Sequence, residues 1–344
     1  MSDEDRKKLL LDVAQQFYRD KKSKTKIANT IGVSSTEVAR LLQEAREEKI
    51  VRFDFSPPKL ESLGYELEQR FRWLKKAVVV SSVKDPLYQR QLIAKAGAEY
   101  FEENVKQKMK IGIGGGHTIY EMIARLPNRE RDIDVYPTAI IGRGPIISHI
   151  DPIPLVTLLW AKSGGEPGRA HYVTVPPSDK GASRAAVAKE YEWYRRRYKK
   201  VRDFYEEMGN VDMIFASIGA IEVTSAYREL KHYSTNYLLG EMSIKEKEFK
   251  DEGAVGDIMY CFFDENGECS KKGWNVFLSH GVEQVKTMVQ EQRTVVVIVG
   301  NYKMKALKAV MKGKLCNVLV TEEEAAKELI HWHDHNRHAS VFTS

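Results

Sequence analysis

The sequence predicts an α/β protein in two parts: an N-terminal helix-turn-helix domain, then an effector domain on a doubly wound, mostly parallel sheet. Three observations carry that expectation. The segment from Lys24 to Gln43 has helix-turn-helix spacing. The later runs DMIFASIG, TVVVIVG and CNVLVT are continuously apolar, as strands buried on both faces are. Around them helical and extended patterns alternate, the order in which a parallel sheet is wound.

The 344 residues suit two domains, and with 42% hydrophobic and 30% charged side chains they can bury a sizeable core. No run approaches the ~20 apolar residues that cross a bilayer, so no membrane partner is expected. The opening MSDEDRKKLL is too charged to read as a secretory signal. Cys261, Cys269 and Cys316 match neither a disulfide framework nor a paired zinc spacing, which makes a reducing cytoplasm the expected location. A net charge of +6 permits an anionic partner without demanding one.

Taken in order, Leu9, Leu10, Val13 and Phe17 form a helical stripe. After the polar RDKKSK, Ile27, Ala28 and Ile31 line a short helix that Gly32 ends, because a helix C′ position often needs positive φ. Val33 is expected in the core, and Ser34 or Ser35 at the cap of the next helix. Ala28 stands four before Gly32, and Val38 and Leu41 stand six and nine after it. A small residue lets two helices cross closely, the glycine turns the chain, and the apolar pair locks the second helix. That phase leaves Ser34, Ser35, Thr36, Ala39, Arg40 and Gln43 outward, where a recognition helix meets a major groove. Arg40 suits guanine and Gln43 adenine. Lys24, with Lys21, Lys22 and Lys26, would sit beside the phosphate backbone of a double-stranded DNA operator. IVRFDF then alternates as a short wing strand would.

SPPKLES, Ser56 to Ser62, is a Pro-rich break. The expected division is residues 1–55 as the helix-turn-helix domain, 56–62 as linker, 63–334 as the large α/β domain, and 335–344 as tail. Glu61–Arg72 reads as helix, KAVVVSS as strand, Pro86–Val105 as helix, MKIGIGG as strand and Thr118–Leu126 as helix. The last helix is expected to start at Thr321, with Glu324 completing a capping box.

In such a sheet ligands bind at the carboxyl ends of the strands. In IGIGGGHTIYEM, Gly114, Gly115 and Gly116 lead from a strand into a helix through His117 and Thr118. Glycines let backbone N–H groups approach an anion, and a helix N-terminus favours negative charge. His117 stands where a dinucleotide fingerprint needs glycine, and no lysine follows at phosphate-loop spacing, so no cofactor is expected. What remains is a cradle for a phosphomonoester, with His117 a donor whose charge depends on pH. Three further loops contribute Arg143 in AIIGRGPI, Asp257 in EGAVGDIMYCFFDENGE and Lys303 in VGNYKMKALKAV. Asp257 is an acceptor for sugar hydroxyls, while Asp264 reads as part of a turn. Lys303 falls in the first turn of a helix, where a cation is unfavourable unless an anion shares the site.

With both parts read, the sequence resembles the SorC family of bacterial transcriptional regulators. The likeness covers most of the chain and is strongest at IANTIGVSSTEVARLLQEAREEKIVRF, GIGGGHT, GAVGDIMYCFFDENGE and VGNYKMKALKAVMKGKLCNVLVTEEEAA. The resemblance implies an effector domain related to phosphosugar isomerases and deaminases. It matches Gly114, Gly116 and Thr118 to a phosphate loop, Asp257 to the acidic residue of the pocket and Lys303 to its basic partner. It also implies a phosphorylated sugar effector and a homotetramer or homodimer. The sequence departs from the family's usual residues at Ser35, Ala39 and His117.

Two other functions fit the same reading. A phosphosugar isomerase or deaminase would need a general base, for which His117, Asp257 and Glu121 are the candidates. A degenerate effector domain would serve only as a scaffold. Tyr191, Tyr194, Tyr198 and Val201 recur at helical spacing within EYEWYRRRYKKVRDF, so that basic stretch is expected to pack as an amphipathic helix. In the tail HWHDHNRH, His331 and His335 share a helical face on which a metal is conceivable, although the polar end is expected to fray.

Overall fold

The computed structural model describes residues 2–51, 58–140, 149–176, 184–221, 251, 253–269 and 278–341. The chain divides into two compact units, Met1–Ser56 and Pro57–Ser344.

The first unit is three helices on one small core. Helix α1 (Asp3–Ala14) continues into a π-helical turn, Gln15–Arg19, and is followed by α2 (Lys24–Ile31) and α3 (Ser35–Glu47). Leu10, Val13, Ile27, Ala28, Val38, Leu41, Leu42 and Ala45 are buried together, as the spacing requires. Gly32 has φ +75°, a conformation that strains any residue with a Cβ. Its N–H and that of Val33 both donate to Ala28 O, closing the turn. Val33, expected in the core, is instead 38% exposed, because it sits on the outer corner of that turn. Ser34 is the cap: its Oγ accepts from Glu37 N–H at 3.0 Å. The proposed wing residues Arg52–Phe55 lie outside the described residues.

The second unit is built on a six-stranded sheet whose pairings are all parallel. Its strands are β1 (Lys76–Val80), β2 (Lys110–Ile113), β3 (Asp134–Pro137), β5 (Met213–Ala216), β10 (Thr294–Ile298) and β11 (Val318–Glu322). They lie in the order β1-β11-β10-β5-β2-β3. Two smaller antiparallel sheets join β4 (Ala139–Ile140) to β9 (Leu278–Ser279), and β6 (Ile218–Ala220) to β7 (Ala254–Ile258) to β8 (Cys261–Asp264).

Side chains alternate across the large sheet, and both faces are covered. Val78, Val80, Val296, Ile298, Val318 and Val320 pack on α5 (Pro86–Asn104), α6 (His117–Arg125) and α7 (Pro152–Lys162). Ala77, Val79, Val295, Val297 and Leu319 face the other way. There they meet α4 (Glu61–Arg70), α9 (Lys199–Gly209), α10 (Gly281–Gln290), α11 (Met304–Lys312) and α12 (Glu323–Val341). Burial on both faces is why these strands read as unbroken apolar runs.

Several expectations need correction. Glu61 and Ser62, assigned to the linker, form the first turn of α4, with Gly64 N–H bonded to Leu60 O. Thr321 is not a cap. It is buried in β11, its Oγ1 donates to Val299 O, and Ser82 Oγ accepts from Glu324 N–H instead. The basic aromatic stretch is two helices, α8 (Arg184–Arg197) and α9, broken at an extended Tyr198. The break resets the helical phase, so Tyr191 and Val201 are buried while Tyr198 is exposed. The stretch EGAVGDIMYCFFDENGE, read as a loop, contains the β7–β8 hairpin. The polar tail is helical through Val341.

Candidate functional site

In the N-terminal unit, α3 presents Ser34, Ser35, Thr36, Arg40 and Gln43 to solvent, with Ala39 half-buried. Arg40 is not loose. Its guanidinium makes a two-point pair with Glu37, Nη2 to Oε1 at 2.6 Å and Nε to Oε2 at 3.0 Å. Gln43 Nε2 donates to Glu47 Oε1 at 2.9 Å. Arg6 of α1 holds Glu44 on the same helix, tying the two together from the side. Lys24 Nζ lies 5.9 Å from the Phe17 ring centroid. The face therefore offers hydroxyls, one guanidinium and one amide on a single rigid helix.

In the second unit the strand order reverses between β2 and β5: the chain passes from β2 outward to β3, then returns to β5 on β2's other side. The glycine loop lies at that switch point, at the carboxyl ends of both strands. Gly114 N–H donates to Phe215 O at 2.9 Å and Gly116 N–H to Ile150 O at 2.8 Å. Two of the N–H groups expected to cradle an anion are thus committed within the protein. What the glycines contribute is shape. Gly116 has φ +116°, and a Cβ on Gly115 would fall 2.5 Å from the Tyr260 hydroxyl. The first turn of α6 follows the loop directly, and first-turn N–H groups have no intrahelical acceptor. Thr118, buried, stands in that turn.

Lys303 acts electrostatically both on Asp257 and on His117 of this loop. Asp257 sits on β7, opposite Gly219 of β6. Lys303 ends the 3₁₀ turn Asn301–Lys303 after β10, and its Nζ donates to Ile218 O on the same small sheet. Both are almost fully buried, at 7% and 6% exposure, where charged groups are rare unless partnered. Burial pushes the Asp257 carboxyl up to about 6, against the opposing pull of Lys303 and the Tyr260 N–H. His117 goes the other way, down to about 4, through burial and the neighbouring positive charge of Arg90, His149 and Lys303. It is therefore a neutral imidazole at neutral pH, and its charge changes only in the acid range. Arg90 is paired to Glu121 at 2.7 Å, and Glu121 is further approached by Arg125. That carboxylate belongs to an ion-pair network and is not placed as a base.

The structure thus gathers Gly114, Gly115, Gly116, His117, Thr118, Asp257 and Lys303 at one edge of the sheet. Arg143 lies outside the described residues. Sequence reading missed Tyr260, Arg90, His149 and Glu322, all near the same edge. Tyr260 carried no signal, because its turn lacks the usual turn residues. Asp264 is structural, as expected: its Oδ1 accepts from the N–H groups of Asn266 and Glu268. Cys261 and Cys269 Sγ atoms lie 3.4 Å apart as free thiols, a proximity their spacing did not suggest. His335 Nδ1 is spent on His331 O, and among the described residues no group of three or more His, Cys, Asp or Glu is placed to hold a metal. A cleft of about 470 Å³ lined by Gln107, Arg131, Asp132 and Glu166 opens elsewhere, near the amino end of β3, away from these residues. Among the described residues no helix is long and apolar enough to cross a membrane.

Comparison with known proteins decides what this arrangement belongs to. Residues 59–331 match the family model described as "Putative sugar-binding domain", most of the chain. The chain belongs to the SorC family of sugar-responsive transcriptional regulators. The Deoxyribonucleoside regulator of Bacillus subtilis is 26% identical over 334 residues, covering 95% of this chain and 99% of that protein. The Sorbitol operon regulator of Klebsiella pneumoniae is 24% identical over 335 residues, covering 96% and 100%. The crystal structure of the full-length regulator SorC from Klebsiella pneumoniae superposes with a TM-score of 0.61 at 20% identity, covering 95% of this chain and 99% of that one. This SorC-family chain is accordingly a sugar-responsive, DNA-binding regulator, as its sugar-binding domain and its regulator relatives support.

Proposed function

We propose that a phosphorylated sugar binds at the carboxyl edge of β2 and β5 and changes the affinity of α3 for an operator. The observation that carries the reading is the convergence of a helix N-terminus, Thr118, Asp257 and Lys303 at the switch point of the sheet. In this reading the first turn of α6 and Lys303 take the phosphate, Asp257 accepts from a sugar hydroxyl, and neutral His117 donates or accepts one hydrogen bond. A phosphate dianion suits Lys303, the basic group buried beside Asp257 at this site. Residues 1–55 serve DNA binding, the linker ends before α4 begins at Glu61, and the domain from there through residue 334 holds the effector and the contacts between subunits.

On the DNA, Arg40 and Gln43 read bases, Ser34, Ser35 and Thr36 reach phosphates or base edges, Ala39 allows close approach, and Lys24 contributes salt-dependent affinity. Releasing Arg40 from Glu37 frees its two-point donor geometry for guanine. A helix-turn-helix reads few base pairs alone, so a homodimer or homotetramer acting in the cytoplasm, where the chromosome is, completes the reading. The effector shifts operator affinity only as far as it favours one arrangement of subunits over another.

Binding to the DNA upstream of the protein's own gene, measured by fluorescence anisotropy at fixed salt with and without sugar phosphates, tests this. Specific binding that a sugar phosphate changes, and that Lys303→Met makes unresponsive, is expected. A response equal for free and phosphorylated sugars would refute the phosphate assignment.

A further inference from the structure

The β7–β8 hairpin closes through only two residues, Met259 and Tyr260, with Ile258 paired to Cys261. Both turn residues have positive φ, 51° and 63°. Two-residue hairpins with that geometry favour Asn-Gly or Gly-Gly, because a Cβ in the left-handed region crowds the backbone. An Asn-Gly turn would close the same hairpin without strain. Strain of this kind persists where surrounding contacts enforce it, and it concentrates at ligand sites. Here the enforcing contact is visible: Ser279 Oγ donates to Met259 O at 2.7 Å.

The strained turn places one residue against both halves of the effector site. The Tyr260 N–H donates to the Asp257 carboxylate. Its hydroxyl lies over Gly115, close enough that a Cβ there would fall 2.5 Å from the oxygen. The ring is only partly buried, at the margin of the core, so filling the interior does not account for it. A phenylalanine would pack that margin equally well; the hydroxyl is the part that reaches the loop.

We propose that the Tyr260 phenol is a specificity-determining donor of the effector site, held over the glycine loop to bind the ligand's phosphate and so to distinguish phosphorylated from free sugars. This rests on the reading that the ligand's phosphate lies at the Gly115–Thr118 loop. The phenol donates to a phosphate oxygen from the hairpin side, while the first turn of α6 donates from the sheet side. The same residue fixes Asp257 through its backbone, so phosphate and hydroxyl recognition share one rigid turn.

The test uses the full chain and titration calorimetry with inorganic phosphate, ribose 5-phosphate, glucose 6-phosphate and the two free sugars. The variants are Tyr260→Phe, which keeps ring and backbone, and Tyr260→Asn, which tolerates the left-handed turn and lacks the phenol. Ligand-free melting temperatures check that each variant folds, and if one does not, the other carries the comparison. A lost hydrogen bond to a charged group corresponds to roughly a ten- to hundred-fold weaker Kd for the phosphorylated probe, with free sugars unaffected. Wild-type binding of a phosphorylated probe with unchanged affinity in a folded variant overturns the role of Tyr260 and leaves the site itself standing. Absence of binding by wild type to every phosphorylated probe overturns the site and this inference together. A loss that is equal for free and phosphorylated sugars assigns Tyr260 a purely structural role and also overturns the inference.

Discussion

Glu322 is where the fold's charge chemistry can be measured most directly. It ends β11, is 1% exposed, and its Oε1 accepts from Asn301 N–H. Its Oε2 is buried without a hydrogen-bond partner among the described residues. Burial pushes its carboxyl from 4.5 up to about 7, with Glu324 adding to the rise and the N–H of Asn301 opposing it. The sign follows from linkage. Below pH ~4.5 both folded and unfolded chains hold the proton, and the group costs nothing. As pH rises toward 7 the unfolded chain releases its proton while the folded one keeps it, so stability falls; above 7 the cost is complete. A displacement from 4.5 to about 7 corresponds to roughly 3 kcal/mol.

Glu322→Gln removes that titration and keeps the acceptor for Asn301. The amide it buries costs ~1–3 kcal/mol by itself, but at every pH alike. The informative quantity is therefore the stability difference between variant and wild type at pH 4 and at pH 8, from urea unfolding. Tryptophan fluorescence is the right probe, because all five tryptophans lie beyond residue 56 and report only the second unit. The variant is expected to gain about 3 kcal/mol relative to wild type between those two pH values. A difference that stays constant would show that Glu322 ionises normally in the folded protein, and the argument from burial would fail.

Gly32→Ala forces a Cβ into φ +75° and is expected to destabilise the first unit by about 1 kcal/mol, read as faster amide exchange in α2 and α3. Arg40→Ala should cost about 1–3 kcal/mol of operator affinity and relax preference at one base pair; equal losses on operator and random DNA would make it a phosphate contact instead. Lys24→Ala should weaken all sequences alike and lower the salt slope by about one counterion. Gly115→Ala places a Cβ 2.5 Å from the Tyr260 hydroxyl, and so is expected to abolish the sugar-phosphate response while operator binding without ligand persists.

How much of this was legible in the sequence differs by element. The helix-turn-helix was readable because a close crossing needs Ala28 and a left-handed turn needs Gly32, constraints that only particular residue types satisfy. The parallel strands were readable because burial on both faces leaves no polar interruption. The β7–β8 hairpin was not: IMYCFF is one apolar run, and Met-Tyr carries none of the chemistry that marks a two-residue turn. Ser82 replaced Thr321 as the partner of Glu324 for a similar reason, since a cap donated from a distant loop leaves no local pattern. Among candidate site residues, Asp257 and Lys303 could be named one by one, but their approach through Ile218 depends on the small sheet, whose pairing is long-range. The depression of His117 could not be read from its own loop, because it comes first from burial in the folded domain and then from Arg90, His149 and Lys303.

The strand order bears on how the protein is made. β1 pairs with β11, and α4 is tied to α12 by Arg70 and Asp334 at 2.9 Å, a contact that spans 264 residues. A ribosome delivers β1 long before its partner exists. Until residues 318–334 have emerged, β1 has no neighbour on the sheet and the side of α4 that meets α12 is uncovered. The first unit, whose core runs only from Leu10 to Ala45, can fold meanwhile. A nascent chain would therefore hold a finished DNA-binding unit beside an open sheet, and interrupted synthesis anywhere before β11 would leave a product able to meet DNA without the closed domain meant to regulate it.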